Sequence, residues 1–406
     1  MIEGMLGRVA VGDKQPVRLM GIINLSRESF YKGSVASQSE ALPLAISMQE
    51  EGADIIDLGA VSTAPGSPHV SESMERERLF PALKEIVENL NIDVSIDTQR
   101  ARIANEALSL GATCINDVSG LQDPDMARCV AEHNGSLIIM AGCQKPGDLL
   151  NLDQIIPRLG ELVRAAAHAG VSAQKIAIDP GIGKWIPEKT PAHDLSILDG
   201  FGRLKTLGCP VVAALSRKSF IGDRLNRPDP YERLSGTLAA TAVAVYLGAH
   251  IVRTHDVSAS RDTVTIAKAI RGHPFKAIDE DINVEVLGFW GQCEDLSETL
   301  KRTEVDERGM GVLCKKGSFR ILGVQGISAM EALIIKQEML ARGGDAAIPK
   351  LALRCDPRPE DVLIFGNISQ ISGLVKNLEG QPFRLNRLAA LIDEALGQIN
   401  SFERYR

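Results

Sequence analysis

Seven apolar runs in this 406-residue chain end on residues able to bind or polarise a substrate. Val17–Asn24 ends on Asn24, Asp54–Gly59 carries Asp57, and Asp93–Asp97 ends on Asp97. Thr113–Asp117 ends on Asn116 and Asp117, and Lys175–Asp179 ends on Asp179. Pro210–Ser216 runs into Arg217, Lys218 and Ser219, and His250–Arg253 into Arg253, Thr254, His255 and Asp256. An eighth run, Ser136–Ala141, ends on Met140 and Ala141. If these runs are strands of one parallel barrel, their ends converge on one face and share a pocket.

The residue types narrow the chemistry. Asp179, at the head of Asp179-Pro180-Gly181-Ile182-Gly183, can accept two hydrogen bonds from a planar pair of N–H donors, and the glycines allow close backbone approach. The same stretch also makes an ordinary turn. Lys218 can donate to a ring carbonyl and act as a point cation, while adjacent basic residues also suit a solvated loop. Arg253 offers a planar fork to phosphate oxygens and His255 a further donor, at the corner where barrels usually bind phosphate. A His beside an Asp can equally be structural. The amide oxygen of Asn24 can help hold Mg²⁺, which bridges phosphates with few protein ligands, or can simply form a turn.

Together, a polar floor (Asp97, Asn116, Asp179), one lysine and an anion corner suit a planar heterocycle joined to phosphate or diphosphate. The motifs contain no Ser–His–Asp arrangement and no His/Cys metal cluster. That pattern favours displacement of a phosphorylated leaving group, with electrostatic stabilisation of the departing anion.

These residues need a scaffold to bring them together. Helical patterns at Gln38–Glu51, Ser73–Asn89, Ala101–Leu110, Pro124–His133, Asp153–Ala169, Ala192–Leu207, Tyr231–Leu247 and Ser258–Ile270 alternate with the apolar runs. Such alternation predicts βαβ units, and eight of them fit an α/β (β/α)8 TIM barrel. A doubly wound sheet is the competing architecture, but no Gly-x-Gly-x-x-Gly follows the first strand. The small residues Gly236–Ala242 predict a helix packed closely on the barrel or on a partner subunit. His273–Asp281 breaks the rhythm, dividing a domain over 1–275 from a smaller α+β domain over 280–406. In the latter, strands are expected at Asn283–Trp290, Ser318–Val324 and Asp361–Phe365, with a short run near Ala347–Leu353. Helices are expected there at Glu294–Arg302, Met330–Ala341, Gln370–Leu378 and Arg387–Leu396.

Composition excludes some roles. A net charge of -7 argues against a general nucleic-acid binder. The seven scattered cysteines lack CxxC spacing, which fits reduced thiols in the cytoplasm. No secretory signal is evident, and no apolar run approaches the roughly 18 residues that span a bilayer.

Seven motifs in order make the chain resemble the dihydropteroate synthases over roughly residues 15–272. They are Met20-Gly21-Ile22-Ile23-Asn24, Ser62-Thr63-x-Pro65-Gly66, Ser95-Ile96-Asp97-Thr98, Ile115–Gly120, Asp179–Gly183, Ser216–Gly222 and Arg253–Val257. The resemblance implies condensation of 6-hydroxymethyl-7,8-dihydropterin diphosphate with p-aminobenzoate, releasing diphosphate, in folate biosynthesis. It also implies a Mg²⁺ requirement and a homodimer formed through late barrel helices. By position, Asp97, Asn116, Met140, Asp179 and Lys218 would bind the pterin. Asn24, Arg253 and His255 would hold diphosphate, with Asn24 on the metal, and Thr63, Pro65 and Ser219 would contact the arylamine. Asn24, Lys218, Arg253 and His255 would form the catalytic set. The implied route is SN1-like and needs no protein nucleophile.

Departures from the family pattern fall in the substrate loops. The first loop carries Glu28 and Lys32 in place of two aspartates, and the second has Val61 and Ala64 in place of Glu and Arg. Ala141 replaces a His, and Lys184-Trp185 opens a short insertion after Gly183 with Trp185 as an aromatic substitute. The pterin site is therefore the firmer expectation, with p-aminobenzoate or a related arylamine as acceptor. Two other readings are a pterin-dependent corrinoid methyltransferase, which has no need of the diphosphate corner, and a non-catalytic pterin-binding protein. Ile334–Ala346 resembles an accessory segment found before the barrel in some bacterial synthases, which implies a structural or assembly role.

Overall fold

The computed structural model describes residues 2–26, 36–61, 68, 70–271, 276–290, 300, 305–354 and 358–403. The chain forms two compact units, Met1–Arg271 and Gly272–Arg406.

The first unit opens with an antiparallel hairpin, β1 (Glu3–Leu6) and β2 (Val9–Gly12). Eight parallel strands follow: β3 (Arg18–Asn24), β4 (Ile55–Gly59), β5 (Asp93–Asp97), β6 (Cys114–Asp117), β7 (Ser136–Met140), β8 (Ile176–Asp179), β9 (Val212–Ala213) and β10 (Ile251–Thr254). They hydrogen-bond in the order β8-β7-β6-β5-β4-β3-β10-β9, and a parallel bridge from Ile178 to Val211 closes the ring. Carried once round by these registers, position 20 maps onto position 12, a displacement of eight residues. Eight strands with a shear of about 8 is the TIM-barrel geometry, so the expected fold is the observed one.

The outer helices are α1 (Gln38–Glu51), α2 (Glu72–Asn89), α3 (Ala101–Ser109), α4 (Met126–Glu132), α5 (Leu152–His168), α6 (Pro191–Asp199), α7 (Ser219–Leu225), α8 (Leu234–Leu247) and α9 (Val257–Arg271). Their starts carry local signals. Ser37 and Glu40 form a capping box on α1, and Asn151 accepts from the Gln154 amide on α5. Two expected helices are shorter than their apolar patterns. Ala192–Leu207 breaks at Gly200 into α6 and a 3-10 turn, Phe201–Leu207, and Tyr231–Leu247 begins with a 3-10 turn, Pro230–Arg233. The expected strand Pro210–Ser216 is shorter than its apolar run: it is a strand at Val212–Ala213, with the bridge to Ile178 just before it at Val211.

An apolar plug fills the lower barrel. Met20, Ile55, Cys114, Ile138, Ala177, Val212 and Ile251, one from each of seven strands, pack with Leu6 and Val11 of the hairpin. The hairpin closes this end of the barrel. The Gly7 amide donates to Ser136 Oγ at 2.9 Å, and Asp13 accepts from the Ile2 amide at 2.8 Å and from Lys205 at 2.7 Å.

In the second unit, β11 (Lys276–Asp279), β12 (Ile282–Trp290), β13 (Phe319–Ile327), β14 (Asp345–Ala347) and β15 (Glu360–Asn367) form an antiparallel sheet ordered β11-β12-β13-β15-β14. Helices α10 (Glu307–Gly317), α11 (Ala329–Ala341), α12 (Ile368–Leu378) and α13 (Leu385–Glu403) complete it. Ile335, Leu374 and Leu388 share one core with Val284, Leu322 and Ile364 of the sheet. Strand β11 occupies part of the stretch expected to be a boundary, and α10 was not expected. The expected helix Glu294–Arg302 lies, apart from Leu300, outside the described residues.

Candidate active site

Side chains alternate faces along a strand, so the residue two beyond each apolar plug position also points inward. Two residues beyond Met20, Ile55, Cys114, Ile138, Ala177, Val212 and Ile251 come Ile22, Asp57, Asn116, Met140, Asp179, Ala214 and Arg253. Ser95 on β5 is followed in the same way by Asp97. The barrel interior thus turns from apolar to polar within one strand repeat. All of this second layer except Asp57 lines a pocket of about 860 Å³.

Nine residues expected in the site share that pocket: Asn24, Asp97, Asn116, Met140, Asp179, Lys218, Ser219, Arg253 and His255. Thr63 and Pro65 lie outside the described residues, as does the first loop from Arg27 to Gly33. Of the adjacent cations Arg217 and Lys218, only Lys218 faces the pocket. Arg217, at φ 55°, turns away and grips Asp256 with Nε at 2.9 Å and Nη2 at 2.6 Å. Asp117 is likewise spent on its own turn, accepting from the Ser119 and Leu121 amides.

Arg253 is not confined to a separate anion corner, as its place after the last strand suggested. Its Nε donates to Asp57 Oδ2 at 2.6 Å and its Nη2 to Asp97 Oδ2 at 2.8 Å. Strand β10 neighbours β3, and the long side chain reaches past it to β4 and β5. Asp57, fully buried, also accepts from Asn116 Nδ2 at 3.3 Å. Asp57 therefore holds two pocket residues without lining the pocket. Burial pushes the Asp97 carboxyl up to about 7, against the pull of Arg253 and with Asp57 adding to the rise.

His255 is held by Ser216, whose hydroxyl stands 2.8 Å from Nδ1 and accepts from the His255 amide at 3.2 Å. Burial, then Arg253, Arg217 and Lys218, depress its imidazole to about 3. At neutral pH it is an uncharged ring, set among cations that already favour an anion.

Lys218 caps the start of α7, and its ammonium donates to the Ile182 carbonyl. Burial lowers its pKa, while Asp179 and Asp194 oppose the shift. Its ammonium also lies 5.5 Å from the centre of the Trp185 ring, within cation–π range. Asp179 accepts from the Gly181 amide at 2.7 Å, and burial raises its pKa against the pull of Lys218. Gly183 holds φ +128°, and a Cβ there would come 3.1 Å from Lys218 Cδ. Glycine is what lets this loop pass beneath the lysine.

Sequence motifs did not point to Lys189 or Asp194, which are buried behind this loop. The Thr190-Pro191 helix start places Asp194 in the first turn of α6, but nothing local signals that Lys189 is enclosed.

The arrangement presents carboxylates, an amide and an ammonium to a flat polar ring, beside a cationic wall. Among the described residues, no group of three or more His, Cys, Asp or Glu gathers to cage a metal. Asn24, at the end of β3, lines the pocket as an oxygen donor, which fits a metal carried largely by phosphate oxygens.

Comparison with known proteins agrees with this geometry. Residues 20–255 match the family model described as pterin binding enzyme. A dihydropteroate synthase of Synechocystis sp. is 39% identical over 264 residues, covering 62% of this chain and 89% of that protein. The structure of a Coxiella burnetii dihydropteroate synthase in complex with pteroic acid is 36% identical, with a TM-score of 0.58 over 64% of this chain and 94% of that one. A Xanthomonas albilineans dihydropteroate synthase with 4-aminobenzoic acid is 33% identical, with a TM-score of 0.58 over 66% and 96% of the two chains. Because the family match spans more than half of the chain and contains the whole polar layer of the barrel, the chain belongs to the pterin-binding dihydropteroate synthase family.

Proposed function

We propose that this chain condenses 6-hydroxymethyl-7,8-dihydropterin diphosphate with p-aminobenzoate or a related arylamine, releasing diphosphate, as a transferase of folate biosynthesis. The observation that carries this reading is the polar layer formed by Asp97, Asn116, Asp179 and Arg253, with Lys218 reaching into the same pocket. Asp97, Asn116, Asp179 and Lys218 would bind the pterin ring edge, and Met140 would lie against its face.

The bond from the pterin methylene carbon to the diphosphate oxygen breaks, and its electron pair leaves with diphosphate. The arylamine nitrogen then bonds to that carbon and loses a proton to solvent. No side chain acts as a nucleophile. Arg253 and Lys218 would stabilise the developing negative charge. Neutral His255 would contribute a hydrogen bond rather than a charge. Asn24 would hold Mg²⁺, which would supply further neutralisation of the leaving group. Ser219, with Thr63 and Pro65, would meet the arylamine.

Further parts of the reading concern the whole molecule. We assign the second unit, which lies beyond the matched residues, a structural or assembly role. Exposed Val243 and Tyr246 on α8, with Ile266 and Ile270 on α9, support a homodimer. Cys114, Cys129, Cys143 and Cys209 are free thiols, which suits the cytoplasm. No helix among the described residues is long and apolar enough to cross a membrane.

The test is to incubate the purified chain with dihydropterin diphosphate, Mg²⁺ and p-aminobenzoate. Matched release of diphosphate and formation of dihydropteroate are expected. Diphosphate without dihydropteroate would move the acceptor to another arylamine, and bound pterin with neither product would overturn the transferase reading.

A further inference from the structure

The segment Lys184–Glu188 leaves the site at Gly183 and returns at Lys189, with one buried ion pair at its feet. The Lys189 side chain is 0% exposed, and its Nζ stands 3.8 Å from Asp194 Oδ1. The ammonium donates to the Gly181 carbonyl at 2.7 Å and to the Gly147 carbonyl at 3.2 Å. The Asp194 oxygen facing it accepts the Gly183 amide at 2.8 Å. Between those two anchored glycines lies Ile182, whose carbonyl receives Lys218. The carbonyl before Ile182 and the amide after it are thus pinned by opposite members of the pair.

The aromatic wall rests on the same two anchors. The Trp185 amide donates to the Gly183 carbonyl at 3.0 Å. Its ring leans on Gly147, where a Cβ would come within 2.2 Å of it. Gly147 is also the residue whose carbonyl Lys189 holds. Two loops from different strands, after β7 and after β8, therefore meet at one ammonium group.

Burying a lysine and an aspartate is a poor way to gain stability, because desolvation offsets their attraction. It is a good way to fix geometry, since an ammonium has three donors that act from one point. Lys189 does not line the pocket, so a direct contact with substrate does not explain it.

We propose that Lys189 and Asp194 are a positioning pair that fixes Gly181–Gly183 beneath Asp179 and Lys218 and holds Trp185 over the ammonium of Lys218. The inference deepens the pterin reading above and rests on it. Burial pushes Lys189 down to about 8; Asp194, Asp179 and Asp148 oppose the shift and Lys218 adds to it. The pair should therefore give pterin binding an alkaline limb slightly above neutral pH.

The test uses the full chain carrying Trp290→Phe, which leaves Trp185 as the sole tryptophan. Affinity for dihydropterin diphosphate is measured by calorimetry across pH, and acrylamide quenching reports Trp185. Lys189→Met should weaken binding about tenfold or more and open Trp185 to the quencher, as small misplacements in a site carry large penalties. Asp194→Asn keeps an acceptor for Gly183 but removes the charge that favours the protonated lysine, so the alkaline limb should move to lower pH. A folded Lys189→Met variant with the parent's affinity and quenching would overturn the proposal. If that variant does not fold, an unmoved limb in Asp194→Asn overturns it instead. Failure of the parent to bind the pterin would sink the functional reading, leaving Trp185 quenching in the variants to decide on the clamp.

Discussion

Arg253 donates from Nη2 to Asp97 Oδ2 at 2.8 Å, although the two residues are 156 positions apart in the chain. The contact joins the side of the pocket proposed for the leaving group to the side proposed for the pterin. A cation that bridges both can respond to loss of the leaving group without leaving the ring site, and it stays paired when no substrate is present.

Replacing Arg253 with Ala should therefore damage more than diphosphate binding. It strands Asp57 and Asp97 without their cation, and breaking such a buried pair typically costs about 3–5 kcal/mol. Denaturant titration should show a loss of that order, and calorimetry should show weaker binding of a bare pterin as well as of its diphosphate. A variant that loses only diphosphate affinity would contradict the bridge.

The elevated Asp97 carboxyl predicts an acid limb. As pH falls through about 7 the group takes up a proton, its bond with Arg253 weakens, and pterin affinity should decline. Asp97→Asn should abolish that limb and bind weakly at every pH. The measurement is the pH profile of kcat/KM, which reports groups of the free enzyme. A limb unchanged in the variant would assign it elsewhere.

His255 should remain neutral in the free protein throughout the physiological range, because its pKa is depressed to about 3. In an NMR titration its ring resonances should show no inflection between about pH 5 and 8, where an unperturbed histidine titrates. Bound diphosphate should raise its pKa by offsetting Arg253, Arg217 and Lys218. A free-protein inflection near the ordinary histidine value would refute the cationic setting.

The first unit carries a separate lock at Asp13. Burial raises this carboxyl's pKa, but bonds from His250, Lys205 and the Ile2 amide outweigh that and hold it well below the usual range. A depressed carboxyl stabilises the fold above its unfolded pKa, and that contribution is lost as pH falls through the folded value. Asp13→Asn should destabilise the protein by about 2 kcal/mol at pH 7, the scale of charge-assisted hydrogen bonds. The difference should shrink steadily below about pH 4. A difference that persists in acid would point to shape rather than charge.

Much of this was legible in the chain. Asp97, Asn116 and Asp179 each end a short β-branched run, and strand periodicity alone turns such residues inward one repeat above an apolar partner. What was hidden depends on distance across the barrel. Which residues Asp57 holds was not legible, because its partners, Arg253 and Asn116, lie on other strands. No motif points to Lys189, because its burial needs Gly147, Gly181 and Asp194 at once. The hairpin β1–β2 was missed because its two four-residue strands are too short for a period to declare itself. Arg217 was grouped with Lys218 by adjacency, yet its left-handed backbone sends the two cations in opposite directions.

That hairpin has a consequence for traffic. With Leu6 and Val11 stoppering the lower end, the barrel is, among the described residues, a well open at its upper end and closed below. A ring that settles on Asp97, Asn116 and Asp179 lies behind whatever arrives next, so the deeper guest must enter first and cannot leave past a seated neighbour. The order of arrival and departure is then imposed by plumbing, as in a queue where the last to enter stands nearest the exit.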